Sequence, residues 1–204
     1  SSIQSILFRL MEEFWQRSSV RGPRGMIAIL RDNELVKETG FWLALRGFGV
    51  ARIVIPTPVL EPAELEGPMP VDLGELGRFA EEQFRLCFEK TMHPLACDVL
   101  AQLYSQDCKA ITRSYSQMTR AWSKALYGPS KKLPAAVLTN IVGGIELAAL
   151  HHVLRPSNVP LCLFQHGVTM EYHSTHELYG AAHETAFSDL AVLFNTKSGS
   201  VAER

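Results

Sequence analysis

The stretch AAVLTNIVGGIELAALHHVL, residues 135–154, decides the fold because it joins a buried strand to a helix through two glycines. Residues 135–141 form a largely apolar run without polar alternation, which is typical of a strand covered on both faces of a parallel sheet. Gly143 and Gly144 then break the run. From about 144 to 154 the spacing of apolar side chains predicts a helix. The stretch therefore indicates one half of a βαβ unit.

The same alternation of short apolar runs and helical segments extends in both directions from this stretch. We expect strands at Met26 to Leu30, Ala51 to Ile55, Ala135 to Ile141, Leu161 to Phe164 and Leu190 to Phe194. The turn that ends at Asp32 and Asn33 offers an N-cap for a helix over 34–46. The pattern predicts an α/β protein with a doubly wound, Rossmann-like parallel sheet of about five strands.

Two segments stand outside this alternation. Apolar side chains recur at helical spacing in residues 3–17, which predicts an amphipathic helix packed on the outside of the domain. We therefore expect an N-terminal helix over residues 1–25, followed by a Rossmann-like domain over 26–204. From about 73 to 127 almost nothing except Pro94 interrupts a helical periodicity, so a helical insertion of two or three helices is expected.

The composition is that of a globular chain, and it excludes several classes of function. Hydrophobic residues make up 47% of the 204, and 20 Lys and Arg against 21 Asp and Glu leave a formal charge of −1. A chain with no basic field is not expected to bind nucleic acid as its main partner. No apolar run approaches the roughly 20 residues that cross a bilayer, so no transmembrane segment is expected. The N-terminus has neither an initiator Met nor a signal pattern, which indicates a trimmed chain or a piece of a longer one.

The cysteines and tryptophans are expected to be structural. The four cysteines, at 87, 97, 108 and 162, match the spacing of neither a zinc module nor a small disulfide framework. We expect free thiols, as a reducing cytoplasm allows. Trp15, Trp42 and Trp122 lie at helical spacing from other apolar residues, and we expect them to be core or interface anchors rather than stacking platforms.

The first candidate site follows the strand at 135–141. In an open parallel sheet, ligands bind beyond the carboxyl ends of the strands, where loops meet helix N-termini. Asn140, Gly143 and Gly144 occupy that position and are candidates for substrate binding. The two glycines could cradle an anion or a sugar hydroxyl with their backbone N–H groups, or could form a tight turn with close packing. A dinucleotide fingerprint needs a third glycine, so no NAD and no other cofactor is expected.

The second candidate site is the segment FQHGVTMEYHSTHE at 164–177, which follows the fourth expected strand. His166 is a candidate general base, because an imidazole ionises near neutral pH and the end of a strand would hold it firmly. Gly167 permits a close approach of the backbone, and Gln165 is a further candidate for substrate binding. Glu171 is expected to orient His166. The alternative is a structural histidine that only hydrogen-bonds a neighbouring loop.

Other catalytic and metal motifs are absent. His173 and His176 are spaced as His-x-x-His, but the zinc hydrolase pattern His-Glu-x-x-His does not occur. No metal site is therefore expected. No Gly-x-Ser-x-Gly follows a strand, which excludes the nucleophile elbow of serine hydrolases.

Three segments together resemble a known family: AAVLTN at 135–140, PLCLFQHG at 160–167 and LAVLFNTKS at 190–198. They look like the second half of the N-terminal domain of GT-B-type transferases of bacterial surface polysaccharides. The likeness covers residues 134–204 and is closest to the capsule-polysaccharide and CDP-glycerol glycerophosphotransferase-like group. In that group a His-Gly pair follows a buried strand, and the resemblance implies a catalytic or acceptor-site role for His166 and a matching place for Gly167.

The resemblance implies an acceptor-side domain. GT-B enzymes hold the activated donor, a nucleotide sugar or CDP-glycerol, mainly on a C-terminal domain, and nothing in this chain resembles a donor diphosphate site. We therefore expect that a C-terminal donor-binding domain is missing from this chain, that a glycan acceptor binds here and that a further domain or partner subunit holds the donor. The expected location is the cytoplasm or the periphery of the inner membrane. Two alternatives stay open: a non-catalytic domain that binds a glycan or another subunit, and a nucleotide-sugar epimerase of the same architecture.

Overall fold

The computed structural model describes residues 3–18, 24–58, 71–127, 133–140, 143–164 and 187–192. In chain order their elements are α1 (Ile3–Ser18), β1 (Met26–Ile29), α2 (Glu34–Leu45), β2 (Gly49–Arg52), α3 (Leu73–Phe88), α4 (Pro94–Leu126), β3 (Ala136–Thr139), α5 (Ile145–Leu154), a 3-10 turn (Arg155–Ser157), β4 (Leu161–Phe164) and β5 (Leu190–Val192). The described residues fall into two compact units. The sheet unit lies within Ser1–Pro56 and Trp122–Arg204, and the hairpin unit lies within Thr57–Ala121.

In the described part of the chain, five strands form one sheet with the order β2-β1-β3-β4-β5. Every neighbouring pair is parallel, and this order is one of the two common doubly wound topologies. The predicted α/β fold is therefore confirmed, and the predicted helical insertion is present as α3 and α4. The chain leaves β1 through α2 toward one edge of the sheet and leaves β3 through α5 toward the other. The topological switch point consequently lies between β1 and β3.

The strands are short, and β1, β2 and β3 begin or end away from the limits that the apolar runs predicted. β4 matches its predicted range, and all four of its residues are buried. β2 begins at Gly49, two residues earlier than expected, because the Gly49 N–H donates to the carbonyl oxygen of Gly25 at 2.8 Å. A glycine in a strand adds no side chain to an apolar pattern, so periodicity alone could not place this start.

One face of the sheet carries a core beneath α1 and α2. Phe8 of α1 packs with Ile27 and Ile29 of β1 and with Val36 of α2 in one buried cluster. Phe8 approaches α2 at Gly40, where an added Cβ atom would lie 2.7 Å from the ring. α1 packs on the sheet through Phe8, which is not one of the apolar residues that predicted this helix. Four of those residues are exposed: Ile3, Ile6, Leu7 and Leu10.

α5 covers the other face of the sheet, since successive right-handed crossovers from a switch point place their helices on opposite faces. Its buried residues are Leu147, Ala149, Leu150, Val153 and Leu154. Trp122, at the end of α4, is 1% exposed and donates from Nε1 to the carbonyl oxygen of Glu146 at 3.0 Å. Trp122 is thus the core anchor that was predicted. Trp42 is 61% exposed and is not a core residue.

The four thiols are free, as predicted. Cys97 and Cys162 are buried and act as small apolar side chains. Burial raises the pKa of the Cys162 thiol, and the nearby carboxylate of Asp189 raises it further. Cys87 is exposed, so it does not share this packing role.

The hairpin unit pairs α3 with α4 up to Ala121. The Asp72 side chain caps α3 by accepting from the N–H of Gly74 at 2.7 Å, and Pro94 is the first residue of α4, a position where its missing N–H has no effect on the helix. An ion pair between Arg85 and Asp98 joins the two helices near their connection. Their apolar residues remain largely exposed, among them Phe79, Leu86, Leu95 and Val99.

Across the described residues, no helix is both long enough and apolar enough to cross a membrane.

Candidate functional site

The candidate site lies at the carboxyl edge of the sheet, at the switch point between β1 and β3. Asn33 follows β1 and is the predicted N-cap of α2, since its Oδ1 accepts from the N–H of Val36 at 2.9 Å. Asn140 follows β3 and is only 8% exposed. Its Nδ2 donates to the carbonyl oxygen of Asp32 at 3.3 Å. This hydrogen bond joins the two loops at the position where doubly wound proteins bind their ligands.

The two glycines after β3 have backbone conformations that other residues rarely adopt. Gly143 has φ 70°, and Gly144 has φ 92° and ψ 160°, a region that is essentially restricted to glycine. Gly143 is buried and Gly144 is exposed. The pair therefore makes a specific turn that opens its second residue to solvent at the start of α5.

The start of α5 carries a carboxylate. Gly144 is the N-cap residue of α5 and provides no side-chain hydrogen bond to the first turn. The Glu146 Oε2 atom lies so near Gly144 that an added Cβ atom there would be 2.9 Å from it. A negative side chain is favourable at this end of a helix because of the helix dipole. The site thus combines backbone N–H donors with a carboxylate acceptor.

An ion pair flanks the site on the β2 side. Arg52, the last residue of β2, forms an ion pair with the Asp32 carboxylate. The side chain of Asp32 is 18% exposed and that of Arg52 is 44% exposed. Asp32 and Arg52 are thus paired with each other, and Glu146 is a charged side chain that the structure places beside Gly144.

The structure brings together three of the seven residues predicted for the site. Asn140, Gly143 and Gly144 lie within one turn between β3 and α5. The other four, Gln165, His166, Gly167 and Glu171, lie outside the described residues. In the chain, Gln165 directly follows Phe164, the last residue of β4, and β4 is the sheet neighbour of β3.

Sequence reasoning missed the polar groups that face Asn140 and Gly144. Asp32 was recognised only as part of a capping turn, and it is 108 residues from Asn140 in the chain. Glu146 stands two residues after the second glycine, where an acidic residue in the first turn of a helix is a usual feature. Glu146 could have been found from its place in the first turn of the predicted helix. Nothing in the neighbouring sequence indicates that Asp32 meets Asn140.

We expect Gly144→Ala to destabilise the sheet unit by about 1–3 kcal/mol, because alanine is strained at this φ and ψ and its Cβ would press on the Glu146 carboxylate. Urea unfolding of the two proteins measures the difference in the free energy of unfolding. Ala148→Ser, on the next turn of α5, is the matched control and should cost less than about 1 kcal/mol. Equal losses in the two variants would contradict the assigned backbone conformation.

Among the described residues, no three His, Cys, Asp or Glu side chains are grouped as ligands for a metal ion. No protein-family model, curated protein or solved structure matches the chain.

Proposed function

We propose that this chain is the acceptor-side domain of a GT-B-type transferase that adds a glycosyl or glycerophosphoryl group to a bacterial surface polysaccharide. The glycan acceptor binds at the carboxyl edge of the sheet, and the nucleotide sugar or CDP-glycerol donor is held mainly by another domain or a partner subunit. In this proposal the protein works in the cytoplasm or at the periphery of the inner membrane. The sequence resemblance supplies the family, and the geometry of the switch point supports a hydroxyl-binding site.

The observation that carries the proposal is the hydrogen bond from Asn140 to the carbonyl oxygen of Asp32. A hydrogen bond between two loops removes some of their freedom before a ligand arrives, which lowers the entropy that binding costs. It also holds the Asn140 side chain against the loop that follows β1, and Asn140 precedes Gly143 by only three residues in the chain. The candidate donors and acceptors therefore belong to one preorganised edge.

The charge at this edge favours a hydroxyl group over a phosphate. A phosphate bound at the start of a helix needs its N–H groups and a positive surrounding. Here the Glu146 carboxylate occupies the vicinity of Gly144, and it would repel a phosphate. A sugar hydroxyl can instead donate to the carboxylate and accept from a backbone N–H. This is the chemistry expected on the acceptor side of a transferase.

The proposed reaction gives His166 the role of general base. His166 follows Phe164, the last residue of β4, by two residues in the chain, and β4 pairs with β3 in the sheet. In the proposal His166 removes the proton from the attacking acceptor hydroxyl, Glu171 orients the imidazole, and Gln165 and Gly167 contact the acceptor. Gly143 and Gly144 form the opposite wall of the crevice.

A donor screen of the complete gene product tests the proposal. The protein is incubated with an oligosaccharide acceptor and either labelled nucleotide sugars or labelled CDP-glycerol. We expect label to appear in the acceptor with at least one donor, and we expect no transfer by the 204-residue chain alone. If the complete gene product transfers no label with any donor, the transferase function is wrong.

The same screen separates the alternative functions. Acceptor binding without transfer would identify the non-catalytic glycan-binding domain, for which the exposed apolar face of α1 provides a surface for a partner subunit. Isomerisation of the donor without an acceptor would identify a nucleotide-sugar epimerase. Each of these results excludes the proposed reaction.

A further inference from the structure

A groove of about 100 Å³ runs between α1 and α2 on the outside of the sheet unit. From α1 it is lined by Gln4 and Ser5, and from α2 by residues that include Glu34, Lys37, Phe41 and Trp42. It lies outside the switch-point site and uses none of the residues assigned there. Its lining combines an exposed aromatic ring with hydrogen-bond donors and acceptors.

The polar side of the groove is held by a small network. Lys37 Nζ donates to Glu34 Oε1 at 3.1 Å, and the hydroxyl of Ser5 donates to Glu34 Oε2 at 3.2 Å. The Lys37 side chain is 17% exposed and the Glu34 side chain is 69% exposed, so the Glu34 carboxylate is open to solvent and to a ligand. The hydrogen bond and the charge of Lys37 lower the pKa of the Glu34 carboxyl, and the hydrogen bond from Ser5 lowers it further. These groups are arranged before any ligand binds.

The apolar side of the groove is an indole that the fold does not bury. Trp42 is 61% exposed although tryptophan is usually well buried. Phe41 beside it is half-buried and belongs to the partly buried shell of the core. Trp42 is therefore a large apolar surface whose position is fixed by its helix.

We propose that this groove is a second glycan-binding site, in which the Trp42 ring stacks on a sugar ring while Glu34 and Lys37 hydrogen-bond hydroxyls of the same glycan. The inference rests on the proposed function, because it takes the ligand to be a remote part of the same acceptor chain. A pyranose ring presents an apolar face of C–H groups and a rim of hydroxyls. The Trp42 ring is complementary to the apolar face, and Glu34 and Lys37 are complementary to the hydroxyls.

Size and charge narrow the ligand class. A pocket for a drug-sized ligand usually encloses about 300–1,000 Å³, so a groove of about 100 Å³ holds one face of a single ring and excludes a nucleotide donor. Among the described lining residues, Glu34 and Glu38 place two carboxylates beside the ammonium of Lys37. This balance disfavours an acidic sugar. The expected ligand is a neutral or N-acetylated oligosaccharide.

The position of the groove connects it to the switch-point site. Glu34 is the first residue of α2 and directly follows the cap residue Asn33 at the carboxyl edge. Trp42 is eight residues further along α2, which corresponds to about 12 Å at the helical rise of 1.5 Å per residue. A glycan that reaches both sites must therefore extend over more than one sugar ring. Affinity should rise with the length of the oligosaccharide.

Calorimetric titration of the chain with chitobiose, chitotetraose and maltotetraose tests the inference, with a tetragalacturonate as the acidic comparison. We expect a neutral tetrasaccharide to bind more tightly than chitobiose and the acidic one to bind more weakly. Trp42→Ala should lower affinity for the neutral tetrasaccharide about 10-fold, as truncation of a central aromatic side chain commonly does. Trp42→Phe should restore most of the loss. Leu45→Ala, an equally exposed apolar position one turn away, is the matched control and should bind like the unaltered chain.

The outcomes distinguish a wrong groove from a wrong function. Equal affinities of the unaltered chain and Trp42→Ala, together with label transfer in the donor screen, would overturn the groove and leave the transferase intact. Failure of every neutral tetrasaccharide to bind the unaltered chain would overturn the groove. A loss of affinity in Leu45→Ala as large as in Trp42→Ala would show a general apolar surface and would also overturn it. Binding without transfer in the donor screen would support the groove and remove the transferase function.

Discussion

His166→Ala is expected to lower the turnover of the complete gene product by a factor of about 10²–10⁴, the range that a positioned general base contributes. The alanine variant cannot accept the proton of the attacking hydroxyl, so the acceptor must react as a poorer nucleophile. Because we propose that the donor is bound elsewhere, the donor concentration at half-maximal rate should change little. Initial rates, measured at several concentrations of labelled donor with saturating oligosaccharide acceptor, give the turnover and the donor concentration at half-maximal rate.

Two other histidines of the same segment are the controls for this experiment. His173→Ala and His176→Ala remove the same side chain a few residues further along, and each should retain nearly full turnover. Circular dichroism establishes that all three variants are folded. If His166→Ala keeps more than about a tenth of the turnover, its loss is below what a general base supplies, and His166 has a structural role instead.

Phe8→Ala is expected to destabilise the sheet unit by about 3–5 kcal/mol, as removal of a buried aromatic side chain does in other cores. Phe8 is 1% exposed and is the buried contact of α1 with the cluster beneath it. The loss would be a large part of a typical domain stability of about 5–15 kcal/mol. Urea unfolding measures the change in the free energy of unfolding. The dependence of that free energy on urea concentration should be the same in both proteins if only stability has changed.

The matched control is Ile3→Ala on the same helix. Ile3 is 77% exposed, so the loss should stay within about 0.5 kcal/mol, as for most surface substitutions. A loss for Phe8→Ala no larger than that for Ile3→Ala would mean that α1 does not pack through Phe8, and it would also remove one wall of the groove at Trp42.

The parallel sheet could be predicted because its strands are recognised from residues that are neighbours in the sequence. Each strand overlaps an apolar run of the sequence, and β4 matches its predicted range from Leu161 to Phe164. Asn33 was recognisable as a cap because its residue type and its place before a helix are sufficient. Gly143 and Gly144 were recognisable as a special turn for the same reason. Features of this kind depend on a few neighbouring residues.

Other features depend on contacts that periodicity does not contain. Phe8 is buried because Gly40, far along the chain, leaves room for its ring. Ile3, Ile6, Leu7 and Leu10 of the same helix stay exposed. Asp32 meets Asn140 only because strand order places β1 beside β3. Trp42 was expected to be a core or interface anchor, and the structure places its ring at the surface, beside polar groups of two helices. Roles for Gln165, His166, Gly167 and Glu171 stay predictions from the sequence.

Amide chemical-shift mapping on the labelled chain tests the central claim most directly, because it reports which ligand class contacts the switch point. The chain is titrated separately with a neutral tetrasaccharide and with CDP-glycerol or a nucleotide sugar. We expect the tetrasaccharide to shift the N–H signals of Asn140, Gly143 and Gly144 in a saturable manner, and we expect the donors to leave them unchanged. If the nucleotide donors shift these three signals and the tetrasaccharide does not, this edge of the sheet is a donor site and the acceptor-side assignment is wrong.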